Sequence, residues 1–235
     1  MTDHTLKAFD QELHELTGLV VQMGGLTEKQ IHGAMQALVR RDEHLAHSVV
    51  AADEEVDALE RRIEDLAIQL IAKRAPLAGD LREIVAALRI SIDLERVGDF
   101  AKNISRRFAA LRSERDPNHL MRRVEQMAEL ALEQVRKVLD SYVRRDAAEA
   151  IAVWRHDDAI DAIYTSLFRE LLTYMMEDPR NITFSTHLLF CAKYVERIGD
   201  HATNIAETVY FMIKGELPQG ARPRGDMSEA DLAAV

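Results

Sequence analysis

The sequence predicts an all-α fold of two tandem three-helix bundles, six long helices related by an internal pseudo-twofold. Three observations carry this expectation. Apolar residues recur at alternating spacings of three and four, the period of a helix buried on one side. The turn-forming prolines fall between those runs, at Pro76, Pro117 and Pro179, and not inside them. The chain also repeats itself. "LVRRD" ending at Asp42 returns as "YVRRD" ending at Asp146, and "DEEVD" from Asp53 returns as "DDAID" from Asp157, both at an offset of 104. "ERVGDFAKNI" from Glu95 returns as "ERIGDHATNI" from Glu196 at an offset of 101. The change of offset falls across the Pro76 and Pro179 turns, where a short deletion is easily absorbed.

The elements follow in order. The first helix runs through Phe9, Leu13, Leu16, Val20, Met23, Thr27, Ala34 and Leu38. Gly24-Gly25 interrupts its composition but not its register, so one long helix is expected. Leu45, Val49, Ala52, Val56, Leu59, Ile63, Leu66 and Leu70 trace the second. The third carries two lines: Leu81, Val85, Leu88 and Ile92 on one face, and Val97, Ala101, Ile104, Phe108 and Leu111 on roughly the opposite one. The second half repeats this plan, and short connections make consecutive helices antiparallel neighbours. The expected domains are 1–115 and 116–215. Residues 216–235, rich in Gly, Pro and charge, read as a frayed tail.

Composition narrows function. With 40 acidic against 30 basic residues the net charge is −10, the wrong sign for general nucleic-acid binding. The short basic runs Arg106-Arg107 and Arg122-Arg123 sit among acids and read as solvated helix faces. The one cysteine, Cys191, lies in an apolar run as a buried inert thiol, which fits a reducing compartment. No apolar run approaches the roughly 20 residues needed to span a bilayer, and no leader sequence is visible. A cytoplasmic location is expected. Trp154 and Met175-Met176 read as core or near-core filler.

The repeated motif raises a chemical question, because it places Gly, Asn and two carboxylates inside a helix that favours none of them. At about 100° per residue, Glu95, Asp99 and Asn103 fall on one face, and Glu196, Asp200 and Asn204 repeat the arrangement. Gly98 and Gly199 are the small positions expected where a neighbouring helix comes close. On the preceding helix Asp53 and Asp57 lie about 40° and 80° from the Val49 line, and Asp157 and Asp161 lie likewise from Val153. Antiparallel packing then faces an Asp pair with a Glu/Asp pair in each half. Four converging carboxylates with no obvious cationic partner repel unless a cation sits between them. Oxygen donors alone suit hard or borderline ions such as Mg²⁺, Ca²⁺, Mn²⁺ or iron.

At these residues the sequence resembles the PhoU family of phosphate-transport regulators, from Thr5 to about Lys214. The resemblance implies two three-helix bundles in a cytoplasmic protein, often a homodimer. It implies a negative regulator of phosphate uptake that also keeps phosphate-starvation signalling silent. The implied partners are the ATPase subunit of the phosphate ABC transporter and the phosphate sensor histidine kinase, with membrane association only through them. It further implies metal ions (Mg, Mn, Ca, Fe or Zn) at Asp53, Asp57, Glu95, Asp99, Asp157, Asp161, Glu196 and Asp200, with Asn103 and Asn204 as further donors. Two other classes compete. A carboxylate-bridged di-iron oxidase wants Glu-x-x-His on two helices, and none of the nine histidines has a Glu three residues before it. Nucleotide-binding loops, nucleophile elbows and zinc motifs are likewise missing from the sequence, so no enzyme is expected. A metal-free helical adaptor with solvated carboxylates is the third reading, and His201 beside Asp200 reads as a surface or core histidine.

Overall fold

The computed structural model describes residues 2–111, 118–155 and 158–220 of the 235, with side chains described from residue 8 onward except at Asn118 and Asp158. Among the described residues there is helix and no strand. The first half holds α1 (Thr2–Arg40), α2 (Glu43–Arg74), α3 (Ala78–Arg106) and a single short turn, α4 (Phe108–Leu111). The second holds α5 (Asn118–Arg144), α6 (Ala147–Arg155), α7 (Asp158–Glu177) and α8 (Ile182–Lys214), with a 3₁₀ turn at Pro179–Asn181 before α8. α1, α2 and α3 pack mutually, as do α5, α8 and the α6–α7 stretch, so each half is a three-helix bundle. α3 lies along α8 and α1 along α5, which joins the halves.

The repeated "RRD" is a turn. Arg41 and Arg145 adopt left-handed backbone conformations, at φ 56° and 54°, that reverse the chain. The next residue then caps the following helix. Asp42 accepts from the Leu45 N–H at 3.0 Å, and Asp146 accepts from those of Ala148 and Glu149 at 2.9 and 3.1 Å.

α1 runs unbroken through Gly24-Gly25. Gly24 is there for packing: a Cβ on it would meet Leu139 Cδ1 of α5 at 2.5 Å. The α3–α8 seam shows the internal twofold. Asp93 meets His201, and Phe100 stacks on Tyr194 at 5.9 Å between ring centroids. These two contacts exchange when 101 is added to each α3 residue, so the helices cross antiparallel about an axis near Val97 and Ile198.

Four expectations need correction. α3 stops at Arg106, and Phe108 and Leu111 reach the core from the separate turn α4. The line Leu81–Ile92 is not a core face, because Leu81 and Ile92 are exposed while Ile84, Ile90 and Leu94 are buried. Met176 is exposed. Arg107 is no solvated basic residue: it lies 4.1 Å over the Phe190 ring and bonds His187 at 2.9 Å and the Tyr194 hydroxyl at 3.2 Å. Burial, with the Arg107 charge behind it, holds His187 below the ordinary histidine range. Cys191 and Trp154 are buried as expected, and burial pushes the Cys191 thiol up to about 12.

Candidate functional site

In the first half the carboxylates line a seam between α2 and α3. The α2 face that buries Val49, Val56 and Ile63 also turns Asp53 inward, with Asp57 and Glu60 at its margin. α3 supplies Glu95 and Asp99, with Asn103 one turn on, all half-buried. Gly98 makes room among them. A Cβ there would stand 2.9 Å from Gln30 Oε1 of α1, 3.5 Å from Val56 and 3.7 Å from Asp53 Oδ1. The close approach expected at Gly98 is thus made by side chains of two neighbouring helices.

A cation missed in the sequence occupies this seam. Lys102, one turn after Asp99, donates to Asp53 across the helix boundary and reaches Asp99 Oδ1 at 2.5 Å. Its side chain is only 16% exposed. Burial works against its charge, but the hydrogen bonds to Asp53 and Asp99 outweigh burial and raise its pKa. Arg96 flanks the seam from outside, 3.4 Å from Glu95 and 3.7 Å from Asp99. The expectation of carboxylates with no cationic partner is therefore corrected for this half. Residual repulsion persists at the rim. Burial first, then the charge of Asp99, raises Glu95; burial, then Asp57 and Glu64, raises Glu60. A cavity of about 660 Å³ opens beside Lys102, between the start of α2 and the end of α3, with His47, Glu54 and Arg106 in its lining.

The second seam is charged differently. Thr203 stands at the position equivalent to Lys102, and its hydroxyl donates to the Gly199 carbonyl at 3.1 Å. The nearest described ammonium comes from the other end. Lys193, equivalent to Ile92 and 41% exposed, reaches Glu196 Oε1 at 2.7 Å. Glu196 Oε2 is buried with no hydrogen-bond partner. Burial, which the Lys193 hydrogen bond only partly offsets, raises the Glu196 pKa, and Asp200 and Asp161 add to the rise. Glu196, Asp200 and Asp161 are thus electrostatic neighbours, as the spacing predicts. Asp157 lies outside the described residues. Gly199 is buried in the α8 core face. Asn204 and His201 turn elsewhere: both contact Asp93 Oδ1 of α3, at 3.5 and 2.7 Å.

In the first seam an ammonium already bridges Asp53 and Asp99. In the second, one Glu196 oxygen is buried without a hydrogen-bond partner, with Asp200 and Asp161 as charged neighbours. Among the described residues, no three His, Cys, Asp or Glu side chains are gathered closely enough to hold a metal ion by themselves.

Three residues at the first seam escaped the sequence reading. Lys102 sits within the quoted motif, but its link to Asp53 depends on helix register. Glu60 follows Asp57 by three. Gln30 was detectable, because Gln134 repeats it at the same offset as the RRD turn. Gln30 is 2% exposed, and both its amide atoms are buried with no hydrogen-bond partner.

A duplicated three-helix bundle with a carboxylate-lined seam in each half defines the class of protein: an all-α tandem repeat. The PhoU domain model matches the chain twice, over residues 20–108 and 124–209. This chain belongs to the PhoU family. A Rhizobium meliloti protein named phosphate-specific transport system accessory protein PhoU homolog is 55% identical over 96% of this chain and 95% of its own. A Caulobacter vibrioides protein of the same name is 50% identical over 97% and 99%. The crystal structure of PhoU from Pseudomonas aeruginosa superposes with a TM-score of 0.83 at 36% identity, covering 88% of this chain and all of that one. The phosphate transport system regulatory protein PhoU from Streptococcus pneumoniae does so with a TM-score of 0.83 at 28% identity.

Proposed function

We propose that this protein is a cytoplasmic, non-enzymatic accessory protein of phosphate-specific transport. It restrains phosphate uptake and keeps starvation signalling silent when phosphate is plentiful. It acts through contacts with the ATPase subunit of the phosphate ABC transporter and with the sensor histidine kinase, as a homodimer. The observation that supports this reading is the match, over nearly the full length of both chains, to proteins named as accessory proteins of phosphate-specific transport. Two features support a contact-based role. Ile68 and Ile71 of α2, Leu77 in the turn and Leu81 and Ile92 of α3 leave apolar side chains exposed on consecutive antiparallel helices. Among the described residues no helix is long and apolar enough to cross a membrane, which fits membrane association through partners.

In this reading the second carboxylate seam is the candidate cation site. Glu196, Asp200 and Asp161 would supply part of the ion's oxygen donors in the second half. The bound ion would supply the positive charge that offsets their mutual repulsion. Deleting the gene is expected to derepress phosphate uptake in phosphate-rich medium and to switch on phosphate-starvation reporters. Unchanged uptake and silent reporters in a clean deletion would refute the regulatory reading.

A further inference from the structure

We infer that the outer face shared by α2 and α3 docks a basic amphipathic helix of a partner protein, apolar along one half and carrying Lys or Arg along the other. The face has two chemistries laid end to end. Asp53 meets Lys102, and Glu60 acts on the charge of Glu95, which fixes the antiparallel register of the two helices. In that register Ile68 comes opposite Leu88 and Ile71 opposite Val85, towards the end where the helices join. Leu81 and Ile92 extend the apolar stripe along α3, and Ile68 and Ile92 are 55% and 53% exposed. One turn further the face becomes acidic, with Glu64 and Glu60 on α2 and Glu95 on α3. Burial together with neighbouring acids holds Glu60 and Glu95 above the ordinary carboxylate range, even with Arg96 at the rim.

The second half supplies from its own chain what this face lacks. Lys193, at the position of Ile92, stands 5.2 Å over the ring of Tyr164, at the position of Glu60. The same ammonium reaches Glu196, at the position of Glu95, at 2.7 Å. In the first half an exposed isoleucine replaces that cation and a second acid replaces the ring. A partner helix that lays Leu or Ile on the stripe and sets a cation between Glu60 and Glu95 would bury the one and neutralise the other. The span from Leu81 to Glu95 is about 21 Å, four turns of such a helix. An anionic lipid surface would be repelled by the acids. A second copy on the same face would set its acids against acids or against the apolar stripe. The inference rests on the contact-based role proposed above and gives the chemistry of the surface a partner must present.

The test uses the full chain in chelator and follows the fluorescence anisotropy of a labelled synthetic helix of about 18 residues. One face of this peptide carries Leu over one half and Lys over the other, and it is made in both orders. One order is expected to bind saturably, and replacing its Lys by Glu, or its Leu by Gln, should weaken binding by about tenfold or more. In the protein, Ile68→Ser with Ile92→Ser should weaken it by about tenfold. Glu60→Gln with Glu95→Gln should do the same and remove most of the salt dependence. Ile182→Ser, at the position of Leu81 in the second half, should change nothing. The isoleucines are exposed, so their variants keep the fold, and thermal melts verify this for every variant. No saturable binding by either order, or equal binding of the glutamate peptide, would overturn the inference. So would a dimer that Ile68→Ser with Ile92→Ser turns into a monomer on sedimentation, because a second copy would then cover the face. A failed titration beside derepressed uptake in the deletion strain would overturn the docking face alone and leave the regulatory reading standing.

Discussion

The turn that opens the second helix and the carboxylate seam that follows are both written twice, but they are copied to different depths. The turn is copied completely: a left-handed arginine, then a capping aspartate, with the same backbone geometry at residues 41–42 and 145–146. The seam is copied in its acids and not in its balance. Lys102 becomes Thr203, Ile92 becomes Lys193 and Glu60 becomes Tyr164, so the lysine moves from one side of the repeated motif to the other. A turn depends on backbone shape and one local hydrogen bond, which identical residues reproduce anywhere. A buried charge cluster depends on every group within several ångströms, and one substitution re-poises it.

The largest expected effect asks whether the two cores are as equivalent as their turns. Leu16 and Leu120 are repeat partners and both are fully buried. Truncating either to Ala should cost about 3 kcal/mol by lost burial plus cavity. That corresponds to roughly 6–12 °C in melting temperature for a chain of this size. Matching losses would extend the equivalence to the cores, and a small loss at one leucine would break it.

A smaller effect should separate the seams. Burial raises the Glu196 pKa, so the folded state holds that proton more tightly than the unfolded chain does. Its contribution to stability is complete below the ordinary value of 4.5 and is lost as pH rises through the higher folded value. In chelator, Glu196→Gln should therefore melt with the parent at low pH and a few degrees above it at neutral pH. Glu60→Gln, at the more open rim of the first seam, should gain less. Melts from pH 4 to 8 check both, and an equal gain at the two positions would erase the distinction.

The smallest effect returns to the turns. Asp42→Ala and Asp146→Ala should each cost about 1 kcal/mol, the ordinary value of an N-cap. Denaturant titration should give the same loss for both, within error, if the turns are true copies.

The fold was legible because helices announce themselves locally. The 3.6 period marked α1 and α2 residue by residue, and Pro76 and Pro179 stood in the observed turns. The repeat then supplied the second bundle from the first. Periodicity failed on α3, where Leu81 and Ile92 keep the right spacing on a face turned to solvent. A helix with two apolar stripes does not declare which one its neighbours cover. The carboxylates were legible as a set, since spacing alone puts Glu95 and Asp99 on one face. Their partners were not. That Lys102 reaches Asp53, that Gln30 comes up beside Gly98, and that His201 and Asn204 turn to Asp93 all depend on how helices are shifted along one another. Arg107 is the same kind of case: its neighbours Phe190 and Tyr194 lie about a third of the chain away.

The crossing of α3 and α8 has a consequence for how this molecule can diversify. Two identical subunits related by a twofold must make every off-axis contact twice with the same pair of side chains. Here both partners of the twofold lie on one chain, and its two equivalent positions have parted company. One is an imidazole–carboxylate hydrogen bond between His201 and Asp93, and the other is a stack of Phe100 on Tyr194. A change at residue 93 therefore alters one side of the axis and leaves the other untouched. Covalent fusion has released each half from the obligation to be its own partner.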